Sequence, residues 1–291
     1  MVYGEPAIAV PLSSLRTRIK IEESTNDHTV IIAEDINQSI FISKDAYENN
    51  PLAYAARLTL DKLKIEDPKV KIYISSDIPF ASGFGSGASV STALVKALCH
   101  ISQKPLSLEE INAIVFQVEK IHHGNPSGVD NTVIVYEQAI YYKKESPLEK
   151  LNIGKKLCLL IADTGIPAPT HITVNDIKQL SLSNPQETFA KIHKIGEIVN
   201  TARHSIETGD LEDIGELMLQ NQALLKELSV SSDIIEHLIK VAMDEGALGA
   251  KLSGGGRGGN VICLIQPDDK DKISSTLLQA GAKRVYYTEV D

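Results

Sequence analysis

The chain has no tryptophan, and cysteine, methionine and phenylalanine number only three, three and five among 291 residues. Without indole rings, stacking of a sugar or base on tryptophan is excluded as a recognition device. Cys99, Cys158 and Cys263 lie far apart, each in an apolar stretch. They lack the short spacing of a metal site or a disulfide framework and read as core thiols of a reducing compartment. No apolar run approaches the roughly 20 residues that cross a bilayer, so no membrane partner is expected. The opening MVYGEPAIAV has neither the charged n-region nor the long apolar stretch of a signal peptide, and a cytoplasmic setting is expected. Repeats and low-complexity tracts are missing. Positive charge is also in deficit: 29 Lys and Arg face 38 Asp and Glu, a net charge of -9. An acidic surface repels a phosphate backbone, so nucleic acid is not an expected partner.

What remains is ordinary for a soluble globular chain. Hydrophobic residues make up 43% and charged residues 23%, and the length is enough for two domains. Alternation and β-branched content predict strands over 6–11, 17–22, 28–34, 38–43 and 70–75. A helix is predicted over 88–102, from the apolar face Val90, Leu94, Ala97, Leu98 and Ile101. A second opens at Ser107 with Glu110 as a capping box and runs to about 121. Strands are read at 133–136 and 139–143, and a polar stretch over 145–155 marks a boundary between domains at 1–150 and 151–291. The second half reads as a strand over 157–163, helices over 171–181, 187–208, 211–228 and 232–246, a strand over 260–266, a helix over 269–280 and a strand over 284–289. This mixture predicts an α+β layered fold. Residues 23–70 carry no chemical motif.

Two loops carry chemistry. In ASGFGSGA (81–88), Gly83, Gly85, Ser86, Gly87 and Ala88 link a strand to a helix. Glycine permits a tight turn and close backbone approach, and the helix start offers N–H groups and a positive dipole end to an anion. No Gly-Lys-Ser/Thr follows, so this is not a Walker loop. The same residues could equally be a plain glycine turn capping a helix. In EKIHHGNPSGVDN (119–131), Pro126 and Gly128 stop a helix, Glu119 lies near its C-terminal end, and Asp130 is placed to project from the loop after it. A carboxylate near a helix C-terminus calls for compensation by Lys120 or a cation. Two converging carboxylates suit magnesium-assisted phosphoryl transfer, one holding the cation and the other orienting or deprotonating a hydroxyl. On spacing alone, Asp130 could instead merely bond the turn backbone. His122 and His123 lack zinc spacing and read as structural.

These loops resemble the signatures of the GHMP small-molecule kinases (galactokinase, homoserine kinase, mevalonate kinase and phosphomevalonate kinase). IP followed by SGFGSGAS is similar to the phosphate-binding motif of that superfamily, with Gly87 where its second serine stands. HGNPSGVDN most resembles the mevalonate kinase branch. TGIPAPT (164–170) and KLSGGGRGG (251–259) resemble the substrate loop and the third motif, with Arg257 in place of a glycine. Asn221 and Gln222 echo an Asn-Gln helix of the family and read as structural.

The resemblance implies a two-domain GHMP kinase fold, with an N-terminal half of the ribosomal-protein-fold type and a ferredoxin-like C-terminal half. It implies ATP and mevalonate as substrates, Asp130 as the base, and Glu119 and Ser86 as ligands of Mg2+. It further implies Gly83, Gly85, Ser86, Gly87 and Ala88 around the triphosphate, and Thr170, Gly254 and Gly255 at the acceptor. The Lys, Glu and His of the family's opening motif have no counterpart, which keeps two readings open: an N-terminally shortened active enzyme, or a silent nucleotide or metabolite binder. Another acceptor of the superfamily also stays open, as does a homodimer.

Overall fold

The structure is a computed structural model of the chain. It describes residues 3–24, 27–42, 50–79, 83–123, 126–168 and 170–291, apart from the side chains of Ile36, His122 and His123. The chain divides into two compact units. One consists of Leu15–Phe80 and Phe84–Glu137; the other of Met1–Ser14, Ala81–Gly83 and Gln138–Asp291.

In the first unit, four strands lie in the order Thr17–Glu23, Val70–Ser76, Val30–Ala33, Gln38–Phe41. Val30–Ala33 runs parallel to Val70–Ser76, and the other neighbours are antiparallel. A parallel pair needs a crossover; the helix Pro51–Leu63 lies in that connection. It starts where Asn50 accepts hydrogen bonds from Leu52 N and Ala53 N, with Pro51 at the first helical position. Period-two alternation turns Ile72 and Ile74 inward. They pack with Ile31, Leu60, Leu94, Leu98 and Val118 in one core, which joins the sheet to Pro51–Leu63, Ser86–Ser102 and Leu108–His123. The capping box forms as expected: Ser107 N donates to Glu110 Oε2 at 3.0 Å, and Glu110 N donates to Ser107 Oγ at 3.2 Å.

The helix Pro51–Leu63 and the strand Gly249–Ser253 were not assigned from the sequence, and one assigned element differs in kind. Residues 133–136 were expected as a strand, but they end the helix Val129–Tyr136. The run VIVY is β-branched and favours strands. Here Gly128, at φ 89°, starts a helical turn, and Val135 and Ile134 pack with Ala88, Val95, Ile111 and Val115 of neighbouring helices. Tertiary burial overrides local preference. As a result Asp130 sits in the first turn of a helix, not on the loop expected for it.

In the second unit, the sheet order is Arg284–Val290, Leu157–Asp163, Asn260–Ile265, Gly249–Ser253, with antiparallel neighbours throughout. Leu157–Asp163 is buried along its whole length, as a central strand requires. Its inward residues Cys158, Leu160 and Ala162 meet Leu238, Ala242, Ile273 and Leu277 from the helices Asp233–Asp244 and Lys270–Gln279. Three more helices, Thr170–Ser183, Pro185–Thr208 and Leu211–Glu227, belong to this unit. A smaller sheet orders Ala7–Ala9, Ile140–Tyr142 and Glu149–Lys150. The three cysteines are buried and free, and burial pushes the Cys263 thiol up to about 12. Among the described residues, no helix is long and apolar enough to cross a membrane.

Candidate active site

In the first unit, the glycine loop meets the aspartate-bearing helix. Gly85 caps the helix Ser86–Ser102 with φ 67° and ψ 36°, a left-handed conformation that side chains resist. A Cβ on Gly85 would lie 2.8 Å from Ile134 Cδ1 and 3.5 Å from Asp130 Cβ. Glycine thus makes room at the helix start for the Ile134 side chain, with Asp130 close by. Ser89 N donates to Gly85 O at 2.9 Å, closing the first turn. A chain of hydroxyls from Ser89 Oγ through Thr17 Oγ1 (2.9 Å) to Ser76 Oγ (3.0 Å) ties that turn to two strands. Ser86 and Gly87 are half-buried and Ala88 is fully buried. We expect Gly85→Ala to lower stability by about 1–2 kcal/mol, from the backbone angle alone. A urea titration with an unchanged slope would show it; a wild-type midpoint would mean that the left-handed cap imposes no strain.

Asp130 and Glu119 differ in environment. Asp130 is exposed. Its helix is pinned by neighbours in sequence: Asn131 Nδ2 donates to Asn112 Oδ1 at 2.6 Å, Asn112 Nδ2 to Thr132 Oγ1 at 3.3 Å, and Thr132 Oγ1 to Gly128 O at 2.6 Å. Asn112 lies on Leu108–His123, the helix that also carries Glu119. The two acidic residues are therefore carried on helices joined by amide hydrogen bonds. Glu119 is only 4% exposed. Burial, and secondarily the charge of Asp130, push its carboxyl up to about 7. Lys120, the counter-charge considered for Glu119, places its ammonium 3.3 Å from Gln117 Oε1 and over the Phe116 ring. A buried carboxyl raised by a second carboxylate is a common arrangement at functional sites. Ala81, Ser82, Gly124 and Asn125 of the two motifs, and the side chains of His122 and His123, lie outside the described residues.

In the second unit, the loop after Gly249–Ser253 returns to Asn260–Ile265 through Gly254 and Gly255. Thr170 opens the helix Thr170–Ser183, and a Cβ on Gly255 would stand 3.1 Å from Thr170 Oγ1. Thr170 and Gly255 are thus adjacent, and Gly254 is the next residue along. A Cβ on Gly256 would collide with Val230 O at 2.0 Å, so that approach needs glycine. The far end of the loop is clamped: Thr164 N and Thr164 Oγ1 both donate to Gly259 O at 2.9 Å, and Gly259 N donates to Ile166 O at 2.9 Å. Gly83 lies beside the buried Asn260, whose Nδ2 would be 3.4 Å from a Cβ at that glycine. The sequence reading passed over Asn260 and Asn112 and gave no role to Asn131, although it lies in the HGNPSGVDN motif. The signal for Asn260 and Asn112 was an amide placed within or beside an apolar stripe, where an unpartnered amide is costly.

Comparison with known proteins gives the family of the chain. Residues 50–138 match the N-terminal domain of the GHMP kinases, and residues 202–283 match their C-terminal domain. The mevalonate kinase of Methanocaldococcus jannaschii is 30% identical over 94% of this chain and 88% of its own length. That of Aeropyrum pernix is 34% identical over 73% of this chain and 66% of its own length. The crystal structure of L. major mevalonate kinase in complex with R-mevalonate superposes with a TM-score of 0.85 at 30% identity, covering 100% of this chain and 90% of that one. The chain belongs to the GHMP kinase family, and within it to the mevalonate kinases.

Proposed function

We propose that the chain transfers the γ-phosphoryl group of ATP to the primary hydroxyl of mevalonate, giving 5-phosphomevalonate and ADP for isoprenoid precursor synthesis. The observation that carries the reading is the nearness of the left-handed Gly85 cap to Asp130, whose Cβ would lie 3.5 Å from a Cβ at that glycine, beside a Glu119 carboxyl raised by burial and secondarily by Asp130. Catalysis of phosphoryl transfer is mostly positioning and electrostatic stabilisation, so an anion cradle beside an acid pair is the equipment it needs. The helix start at Gly85, Ser86, Gly87 and Ala88 binds the triphosphate through N–H groups, and the Ser86 hydroxyl adds a donor. Gly83 extends that loop. Asp130 accepts the proton of the acceptor hydroxyl as the hydroxyl oxygen bonds to the γ-phosphorus and the bond to the ADP oxygen breaks. Thr170, Gly254 and Gly255 hold the acceptor.

Magnesium prefers hard oxygen ligands, commonly one or two carboxylates completed by phosphate oxygens and water. The donor set here fits: a cation would hold ionised a Glu119 carboxyl whose neutral form burial otherwise favours. Glu119 and the Ser86 hydroxyl are its proposed protein ligands. Bound there, the ion would offset the phosphate charge.

An acceptor panel tests the reading. With saturating Mg-ATP, kcat/KM for mevalonate is expected to exceed that for phosphomevalonate, galactose and homoserine by about 100-fold or more, the discrimination a polar acceptor site supplies. A preference for any of the other three would keep the family and replace the acceptor.

A further inference from the structure

Arg257 holds a backbone conformation that disfavours a side chain, with φ 62°. Elsewhere in the same loop, the left-handed positions at 254, 256 and 259 are occupied by glycine, with φ of 85°, 77° and 68°. An arginine at such a position points to a use for its side chain. Its backbone N donates to Val230 O at 2.8 Å, and its Nε donates to Ser229 O at 3.1 Å. The guanidinium also pairs with Asp176. Asp176 lies on the helix Thr170–Ser183, whose first residue stands against Gly255. One side chain therefore spans three segments: the glycine loop, the turn at Ser229 and Val230, and the helix that presents Thr170. The planar fork of arginine suits this, because it directs several donors at once in fixed directions.

We propose that Arg257 is a positioning residue of the acceptor site, strapping the Gly254–Gly255 backbone against Thr170 through Asp176 and Ser229 O. This rests on the reading of Thr170, Gly254 and Gly255 as acceptor contacts. Arg257 acts through the loop, not on the substrate. An exposed ion pair contributes little to global stability, so its effect is local: it restricts the range of separations between the helix start and the loop. Losing that restriction weakens acceptor binding in the ground state and the transition state alike, which raises KM and spares kcat.

The informative substitution is Arg257→Gly, because glycine relieves the backbone angle and the variant is not expected to misfold. We expect its melting temperature to stay within about 2 °C of wild type, since the relieved strain offsets the lost pair. KM for mevalonate should rise roughly three- to ten-fold while kcat stays within about two-fold, the size of a lost surface strap. Asp176→Asn, which leaves the loop sequence intact, should raise KM equally. The double variant should be no worse than the worse single one, because both remove the same contact. Arg257→Lys should recover part of the loss. Amide hydrogen exchange at 254–256 should quicken in Arg257→Gly whether or not mevalonate is the acceptor. Unchanged KM, or unchanged exchange, overturns the proposal. If wild type phosphorylates a different acceptor, the same KM comparison is made with that acceptor. If wild type shows no acceptor-dependent turnover at all, the functional reading fails and the exchange measurement alone decides on the strap.

Discussion

Asp130→Asn is expected to lower kcat by about 10²- to 10⁴-fold, the range a positioned general base contributes, while ATP affinity stays within a few-fold. The amide keeps the size and the hydrogen-bonding edge of the carboxylate, but it cannot take the hydroxyl proton. The helix keeps its ties through Asn131, Thr132 and Gly128 in the variant. The triphosphate cradle proposed at Gly85 and Ser86 does not need the charge of Asp130. Removing that charge also removes one of the two causes that raise the Glu119 carboxyl. The metal-free variant should therefore be no less stable than wild type. Coupled ADP release gives the rate, and calorimetric titration with ATP gives the affinity. Near-wild-type turnover would take the base role from Asp130.

The second large effect separates stability from activity. Glu119→Gln should reduce turnover by about 10- to 10³-fold, a loss of several kcal/mol of metal-assisted charge stabilisation. In EDTA above neutral pH, however, it should be more stable than wild type by about 1–3 kcal/mol. The sign follows from linkage. The Glu119 carboxyl titrates at about 7 in the folded chain and near its ordinary value of 4.5 in the unfolded one. Between those two values, the folded state binds the proton that the unfolded state has released. Unfolding free energy contributed by this group is therefore full below pH 4.5 and is lost as pH rises through about 7. The whole span corresponds to about 3 kcal/mol. A glutamine carries no such titration, so wild type minus variant should show a stability difference that grows from pH 5 to 8. Urea unfolding across that range measures it. A variant that is less stable than wild type at pH 8 would mean the buried carboxylate is not a burden on the fold.

Much of the fold was legible because it rests on short-range chemistry. The Ser107–Glu110 capping box, the apolar stripe through Leu94 and Leu98, and the strand-loop-helix around Gly83 and Gly85 are all decided within a few residues. Asn50-Pro51 was an equally local helix start, an N-cap followed by proline at the first helical position. It lay in a stretch without a chemical motif and was not assigned. Val133–Tyr136 misled because β-branched residues report only the intrinsic preference, and the neighbours that made this segment helical come from distant sequence.

The site divides in the same way. Asp130, Glu119, Ser86 and the glycines were visible as motif positions. That Glu119 is buried followed only once the helix Leu108–His123 was packed with its Val115 and Val118 face inward. Contacts between remote positions could not be read at all. Arg257 meets Asp176 across 81 residues of sequence, and Asn131 meets Asn112 across 19. The sequence marked Arg257 only as a departure from a glycine; the fold turns its guanidinium to Asp176 and the Ser229 carbonyl.

The most direct test of the account is the rate of ADP release from Mg-ATP by this chain, with and without mevalonate. The expected result is release that depends on mevalonate, saturates with it and falls by two or more orders of magnitude in Asp130→Asn. Tight ATP binding with no mevalonate-dependent release would contradict it, leaving the family assignment standing and the chain a silent nucleotide binder.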